Sequence, residues 1–435
     1  MILEPASDAS APGGAAWSGE RRDDARRAPA SRSGAPASFA RRGEGAALVP
    51  RPGPAARPFG IYVHFPYCTV HCPYCDFAVA TDRAIPQERY TRAVLAELAL
   101  RSDGFDGLEA RSLYLGGGTP SLWDPARVAE VVAAVRSRFA LPAQAEVTLE
   151  ANPESADAGR LAAYREAGVS RFSIGVQSFD PGVLAKLGRR HRPGDAERAV
   201  RAAAQVVGNV AVDLIYGARR STVATARADA ERVGALPVTH VSAYALTLEG
   251  EVLAEETPLA RLRREGRLPL PGDDEVVAQA RAIRGALRRA GLRRYEISNF
   301  AREGFESVHN RLYWRSESYL GLGVGAFGCR HAVDGAGALR WGNARAPLAY
   351  LESVEAGRLP TVEEDRLGPR ELAEERMMLA LRTREGVAVE EVVSARRAEV
   401  AALRRARLAV VRAGRLVLTS RGMDVHSAAV ERLMA

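Results

Sequence analysis

The sequence predicts an α/β protein built as a partial or complete parallel (β/α) barrel. Three observations carry this. From Gly60 onward, short β-rich runs recur: "GIYVHF", "RSLYLGGG", "EVTLEAN", "RFSIGVQS", "NVAVDLIYG", "HVSAYALT" and "RRYEISNF". Between them lie stretches of helical period such as "QERYTRAVLAELALR", "DPARVAEVVAAVRSRF" and "DEVVAQARAIRGALRRAG". Regular strand–helix alternation implies parallel strands joined by right-handed crossovers, and six or seven such units make a barrel or most of one. Finally, Glu150, Gln177, Asp213 and the "GGGTP" at 116–120 fall at or just past the ends of predicted strands. In β/α barrels that rim is where the chemistry is done.

The regions flanking this pattern differ from it. Residues 1–58 are rich in Ala, Pro, Gly, Ser and Arg without a hydrophobic period, which reads as a disordered tail. The barrel is assigned to 59–300 and a connecting segment to 301–360. A small α+β accessory domain is assigned to 361–435: "PRELAEERMMLALRTREG" is a helix stopped at Gly386, "SARRAEVAALRRARL" is another, and "LAVVRAGRLVLTSRG" is a hairpin turning at Ala413 and Gly414. Helices followed by a hairpin resemble a winged helix.

Composition narrows the class. With 435 residues, 47% of them hydrophobic and 26% charged, the chain can bury a large core without disulfide staples. Four cysteines, three of them clustered, do not form a secreted disulfide framework, so a reducing cytoplasm is expected. No apolar run reaches the roughly 18 residues of a transmembrane segment. The acids Glu20, Asp23, Asp24 and Glu44 argue against a mitochondrial-type presequence. The formal charge of +8 comes almost entirely from arginine, since Lys186 is the only lysine; this skew points to codon bias, and no nucleic-acid partner is expected.

"HFPYCTVHCPYCDF", from His64 to Phe77, carries Cys68, Cys72 and Cys75 in the spacing C-x3-C-x2-C. A structural zinc site uses four protein ligands, and here His64 or His71 would have to be the fourth. A four-iron cubane held by three thiolates instead keeps one iron open. That iron can chelate the amino and carboxylate groups of S-adenosylmethionine and place its sulfonium within reach of a cluster electron. The absent fourth thiolate is then the cosubstrate's place.

These residues resemble the cluster loop of the radical SAM superfamily, with the aromatic Tyr74 just before the last cysteine. "GIYVHFPYC", "LYLGGGTPS", "VTLEANPES", "RFSIGVQSFD", "VDLIYG" and "RRYEISNFA" together resemble the oxygen-independent coproporphyrinogen III oxidase family over residues 59–430. Two positions separate its branches. The oxidase proper has a further cysteine two residues past the third cluster cysteine, where this chain has Phe77, and "HNRLYW" at 309–314 is similar to the H-N-x-x-Y-W signature of the haem chaperone branch.

The resemblance implies a barrel of the radical SAM type and a 4Fe-4S cluster on Cys68, Cys72 and Cys75. It also implies S-adenosylmethionine contacts from Tyr62, Tyr74, Gly117, Gly118, Thr119, Glu150, Gln177, Arg189 and Asp213, with Arg189 pairing to the carboxylate. Haem would be bound cargo, with His309 as axial ligand or an ordinary structural histidine, and Asn310, Tyr313 and Trp314 around it. Haem-requiring acceptor proteins, membrane respiratory components among them, would be the partners, and a homodimer is compatible. Cys329 reads as a small buried residue or a thiolate ligand.

The implied function is a radical SAM haem chaperone without coproporphyrinogen III oxidase activity. The alternatives are the oxidase itself and a zinc-structured nucleic-acid binder. Two segments depart from the family pattern. "ARRST" at 218–222 stands where L-P-G-Q-T is common, and "GLGVGAFG" lacks the proline and histidine often seen there. The G-x-G-x-x-G at 323–328 lacks a following helical pattern and is not read as a dinucleotide site.

Overall fold

The computed structural model describes residues 56–82, 84–248, 256–332 and 334–434, with the backbone alone at 393–395. The expected disordered tail lies outside these residues as far as Ala55.

Six strands form the parallel centre: β1 (Pro58–Phe65), β2 (Glu109–Gly117), β3 (Glu146–Ala151), β4 (Arg171–Gln177), β5 (Val210–Tyr216) and β6 (His240–Ala245), hydrogen-bonded in that order. The seventh run is not a seventh parallel unit. "RRYEISNF" folds as β7 (Arg293–Arg294) and β8 (Asn299–Ala301), and β8 lies antiparallel to β6. Before β1 in sheet order come β9 (Ser318–Gly323), parallel to β1, and then the antiparallel β10 (Phe327–His331), β11 (Ala338–Asn343) and β12 (Thr361–Leu367). The sheet is open, ending at β12 on one side and β7 on the other, so the barrel is partial. The glycine-rich 323–328 stretch joins β9 to a strand rather than a helix, which agrees with its reading as a non-nucleotide turn.

Period-two alternation sorts the strand residues between two faces. Ile61, Val63 and Phe65, Leu113 and Leu115, Val147 and Leu149, Phe172 and Ile174, and Val210 and Val212 all enter the main hydrophobic cluster, which packs the sheet against its crossover helices. The opposite face is polar: Tyr62 and His64, Ser112 and Tyr114, Glu146, Thr148 and Glu150, Arg171 and Ser173, Asp213, then His240 and Ser242. One face thus supplies the apolar burial, and the other lines a polar interior.

The crossover helices begin where capping chemistry starts them. Asp124 accepts from Ala126 N ahead of the helix Pro125–Phe139, and Asp180 accepts from Val183 N ahead of Pro181–Lys186.

The C-terminal residues build a second hydrophobic cluster around Leu381, Val392, Leu403, Leu416 and Leu433. Its elements are the helices Pro369–Leu381, Val389–Arg405 and His426–Met434 with the small sheet β13 (Val387–Ala388), β15 (Arg415–Leu418) and β14 (Ala409–Arg412), a winged-helix-like arrangement. The β14–β15 hairpin turns at Ala413 and Gly414, both at positive φ (45° and 73°), as a two-residue turn matched to strand twist requires. Polar contacts join this layer to the barrel. Asp424 accepts from Arg284 at 2.6 Å and Arg294 at 3.2 Å, and Arg382 pairs with the fully buried Glu296 while covering the Trp314 ring at 4.4 Å.

Candidate iron–sulfur and cosubstrate site

Beyond β1 the chain turns at Pro66 into the cysteine loop. The loop is closed at its root, where Ala80 N donates to Pro66 O (2.8 Å) and Cys68 N donates to Ala80 O (2.9 Å). His64 fastens it from inside the barrel. Its Nε2 lies 2.9 Å from Ala78 O, which can only accept, so Nε2 carries the proton and Nδ1 accepts from the Tyr62 hydroxyl at 3.0 Å. Burial lowers the His64 pKa to about 4, so the ring is neutral near pH 7. Gly117 makes this packing possible: its φ is +109°, and a Cβ there would lie 2.7 Å from the His64 ring. A Cβ on Gly118 would lie 2.9 Å from the Pro66 carbonyl.

The three thiols share one neighbourhood, since charge on Cys72 opposes ionisation of both Cys68 and Cys75. Burial pushes Cys68 up to about 11, against the hydroxyl of Thr119 that donates to its Sγ at 3.3 Å. Burial likewise pushes Cys75 up to about 12. Cys72 Sγ receives Arg189 Nη1 at 3.8 Å, and the neighbouring Tyr74 packs against the cluster of Val183, Leu187 and Ala218.

This donor set fits a cubane with one open iron. Both nitrogens of His64 are taken, which removes it as a fourth zinc ligand, and the Nε2 of His71 is turned to Cys75 O at 3.0 Å. Cys329, 1% exposed, is packed with Ala338 and Leu372 on β10, as expected of a small buried residue. Among the described residues no three His, Cys, Asp or Glu side chains converge on a single metal ion. A cubane places its irons at separate corners and takes thiolates spaced apart.

The implied cosubstrate residues gather beside this loop with one difference in level. Glu150, next to last in β3, accepts from Tyr114 Oη at 2.8 Å and Gly117 N at 3.1 Å. Burial raises its pKa, and the Asp213 charge adds to that. Gln177 ends β4 in a left-handed conformation (φ 63°) beside a register shift. A non-glycine residue held there marks local strain of the kind found at binding sites. Asp213, read from sequence as a rim acid, instead lies in the middle of β5 and accepts from Ser173 Oγ at 3.2 Å inside the barrel. Its pKa is raised by burial.

Sequence reasoning missed Asn152, which touches both Thr119 and Arg189. The signal was available: an amide two residues past Glu150 and just before Pro153, where the strand has to end.

His309 lies elsewhere. The helix Val308–Trp314 plugs the barrel interior, its first turn held by the Glu146 carboxylate, which accepts from Ser307 Oγ, Val308 N and His309 N. The imidazole is 1% exposed, with Nδ1 at 2.9 Å from Ser112 Oγ and Nε2 at 3.1 Å from Tyr313 Oη, and its ring centroid is 5.1 Å from that of Tyr114. Neither nitrogen is open to a further ligand in this arrangement. Trp314 is buried under Arg382, and Asn310 is half-buried on the same helix.

Comparison with known proteins places the chain. Residues 62–233 match the radical SAM superfamily. The chain is 37% identical over 391 residues to the protein named Heme chaperone HemW of Mycobacterium tuberculosis, covering 89% of this chain and 97% of that one. It is 35% identical to the HemW of Escherichia coli over 68% of this chain and 76% of the relative. It is 39% identical to the mitochondrial radical S-adenosyl methionine domain-containing protein 1 of Mus musculus over 78% and 76%. The solved structure of the coproporphyrinogen III oxidase HemN of Escherichia coli superposes with a TM-score of 0.71 at 20% identity, over 87% of this chain and 90% of that one, and so shares the fold. With the three-cysteine loop on the rim of a partial barrel and this identity across nearly the whole of a relative, the chain belongs to the HemW family of radical SAM proteins.

Proposed function

We propose that this protein is a cytoplasmic haem chaperone that carries a 4Fe-4S cluster on Cys68, Cys72 and Cys75, binds S-adenosylmethionine beside it, and delivers haem to haem-requiring acceptors such as membrane respiratory components. The observation that carries the proposal is the 37% identity spanning 97% of a relative named as a heme chaperone. Phe77, which stands where the oxidase branch has a further cysteine, supports it; its ring meets His64 edge-on at a centroid distance of 6.3 Å.

The chemistry such a cluster supplies when bound is one-electron reduction of the cosubstrate sulfonium. The chain's own residues orient and enclose. The backbone at Gly117 and Gly118 leaves room for close approach, and Thr119, Gln177 and Arg189 offer polar atoms around the loop. Glu150, held by Tyr114 and Gly117 N, is an acceptor for the cosubstrate's donors. Tyr62 is fixed by His64 below the same loop. Within this reading, His309, Asn310, Tyr313 and Trp314 are the haem contacts to test, and ligation by His309 requires it to release Ser112 or Tyr313.

The test is a haem titration of anaerobically reconstituted protein followed by absorbance, with coproporphyrinogen III turnover measured in parallel. Saturable haem binding without turnover is the expected result. Turnover to protoporphyrinogen overturns it in favour of the oxidase. His309→Gln keeps a hydrogen-bonding side chain at that position: loss of haem with unchanged melting assigns ligation to His309, and retained haem assigns the ring to packing.

A further inference from the structure

Three side chains connect two of the cluster cysteines. Arg189 reaches Cys72 Sγ through Nη1 (3.8 Å) and donates through Nη2 to Asn152 Oδ1 (2.5 Å). Asn152 Nδ2 donates to Thr119 Oγ1 (3.1 Å), and Thr119 donates to Cys68 Sγ (3.3 Å). The direction of every bond follows from the first. A guanidinium has no acceptor, so Asn152 must turn its oxygen to Arg189. The amide nitrogen then faces Thr119, whose oxygen must accept. The single hydroxyl proton of Thr119 is thereby directed to the sulfur. Space for the amide is reserved by Gly175, where a Cβ would lie 3.1 Å from Asn152 Oδ1 and 3.0 Å from Gln177 Nε2.

We propose that Asn152 is a positioning residue: its amide transmits the polarity of Arg189 to Thr119, fixes a hydrogen bond onto Cys68 Sγ, and so raises the reduction potential of a cluster bound by Cys68, Cys72 and Cys75. This rests on the cluster reading above. Hydrogen bonds to cluster sulfurs stabilise the more electron-rich reduced state, and partners behind the ligands tune a metal site as the ligands themselves do.

Asn152→Asp is the informative variant. A carboxylate accepts from Arg189 with one oxygen and from Thr119 with the other, which turns the hydroxyl proton away from Cys68 at almost unchanged shape. The full-length protein is reconstituted anaerobically, its iron and sulfide are counted, and the midpoint potential is read by a redox titration monitored by electron paramagnetic resonance. Asn152→Asp and Thr119→Val are both expected to shift the potential negative, and Thr119→Ser to restore it. In the Thr119→Val background, Asn152→Asp adds less than it does alone, because only its charge still acts. Should Asn152→Asp fail to hold iron, Asn152→Leu, which keeps the shape without either hydrogen bond, takes its place: a potential shifted negative supports the proposal and an unshifted one overturns it. A full cluster with unshifted potentials, or shifts that add completely, overturns the proposal alone. Wild-type protein that holds no iron removes the cluster reading and this proposal together.

Discussion

His309 Nδ1 lies 2.9 Å from Ser112 Oγ, joining the helix Val308–Trp314 to the inner face of β2 within the barrel. The helix carries the run whose family resemblance implies haem contacts, yet its histidine is packed among the barrel's polar residues. His309→Ala leaves a cavity and unpairs Ser112 and Tyr313, at an expected cost of about 3–4 kcal/mol in folding stability. Urea unfolding of the apoprotein checks this. A loss below about 1 kcal/mol would mean that the surrounding residues collapse into the space.

The same histidine gives a pH signature. Burial, with the Arg171 charge adding to it, lowers its folded pKa to about 3, below the ordinary value near 6.5. The unfolded chain therefore takes up the proton first, so the stability contributed by the neutral ring is complete above pH 6.5 and is lost as pH falls below that value. Between pH 7 and pH 5 the wild type is expected to lose about 2 kcal/mol more than His309→Gln, which cannot titrate. Parallel unfolding curves for the two proteins across that window would show the ring to be far less shielded than the structure places it.

Removing one of the three loop cysteines tests the proposed metal assignment directly. Cys68→Ala protein, reconstituted beside the wild type, is expected to lose most of its iron, sulfide and brown colour. The loop supplies three thiols, and both nitrogens of His64 beside it are already hydrogen-bonded. Retention of a full cubane would refute the assignment.

Asp424 anchors the C-terminal layer. It is 5% exposed at its side chain and pairs with Arg284, Arg294 and the more exposed Arg281. Asp424→Ala leaves two largely buried guanidiniums without their counter-ion, a loss of about 3 kcal/mol by comparison with broken buried ion pairs. Hydrogen exchange is expected to rise first in the helices after Pro369, ahead of the barrel. Uniform exchange in both regions would show that the anchor is dispensable.

Much of the fold was legible because it is local. The helices Gln87–Arg101, Pro125–Phe139 and Asp273–Arg289 follow from apolar spacing, and the turn at Ala413 and Gly414 follows from its residue types. The run "RRYEISNF" misled because two short strands of opposite direction have the same composition as one parallel strand. Strand direction is set by which neighbour the chain meets, here β6, and that is a tertiary fact. For the same reason β9 to β12 were not read as four further strands: their glycine-rich and charged residues pair only because β1 and each other supply the ladder partners.

By itself the sequence picked out the candidate site: three thiols at fixed spacing, glycines where the backbone must approach, and Glu150 near a strand end. Only the tertiary structure decided depth and polarity. It set Asp213 in the middle of its strand, enclosed His309 between Ser112 and Tyr313, and brought Asn152 between Thr119 and Arg189. The physical reason is that spacing along a chain fixes which face a residue takes, whereas the direction of a hydrogen bond depends on partners that arrive from other strands.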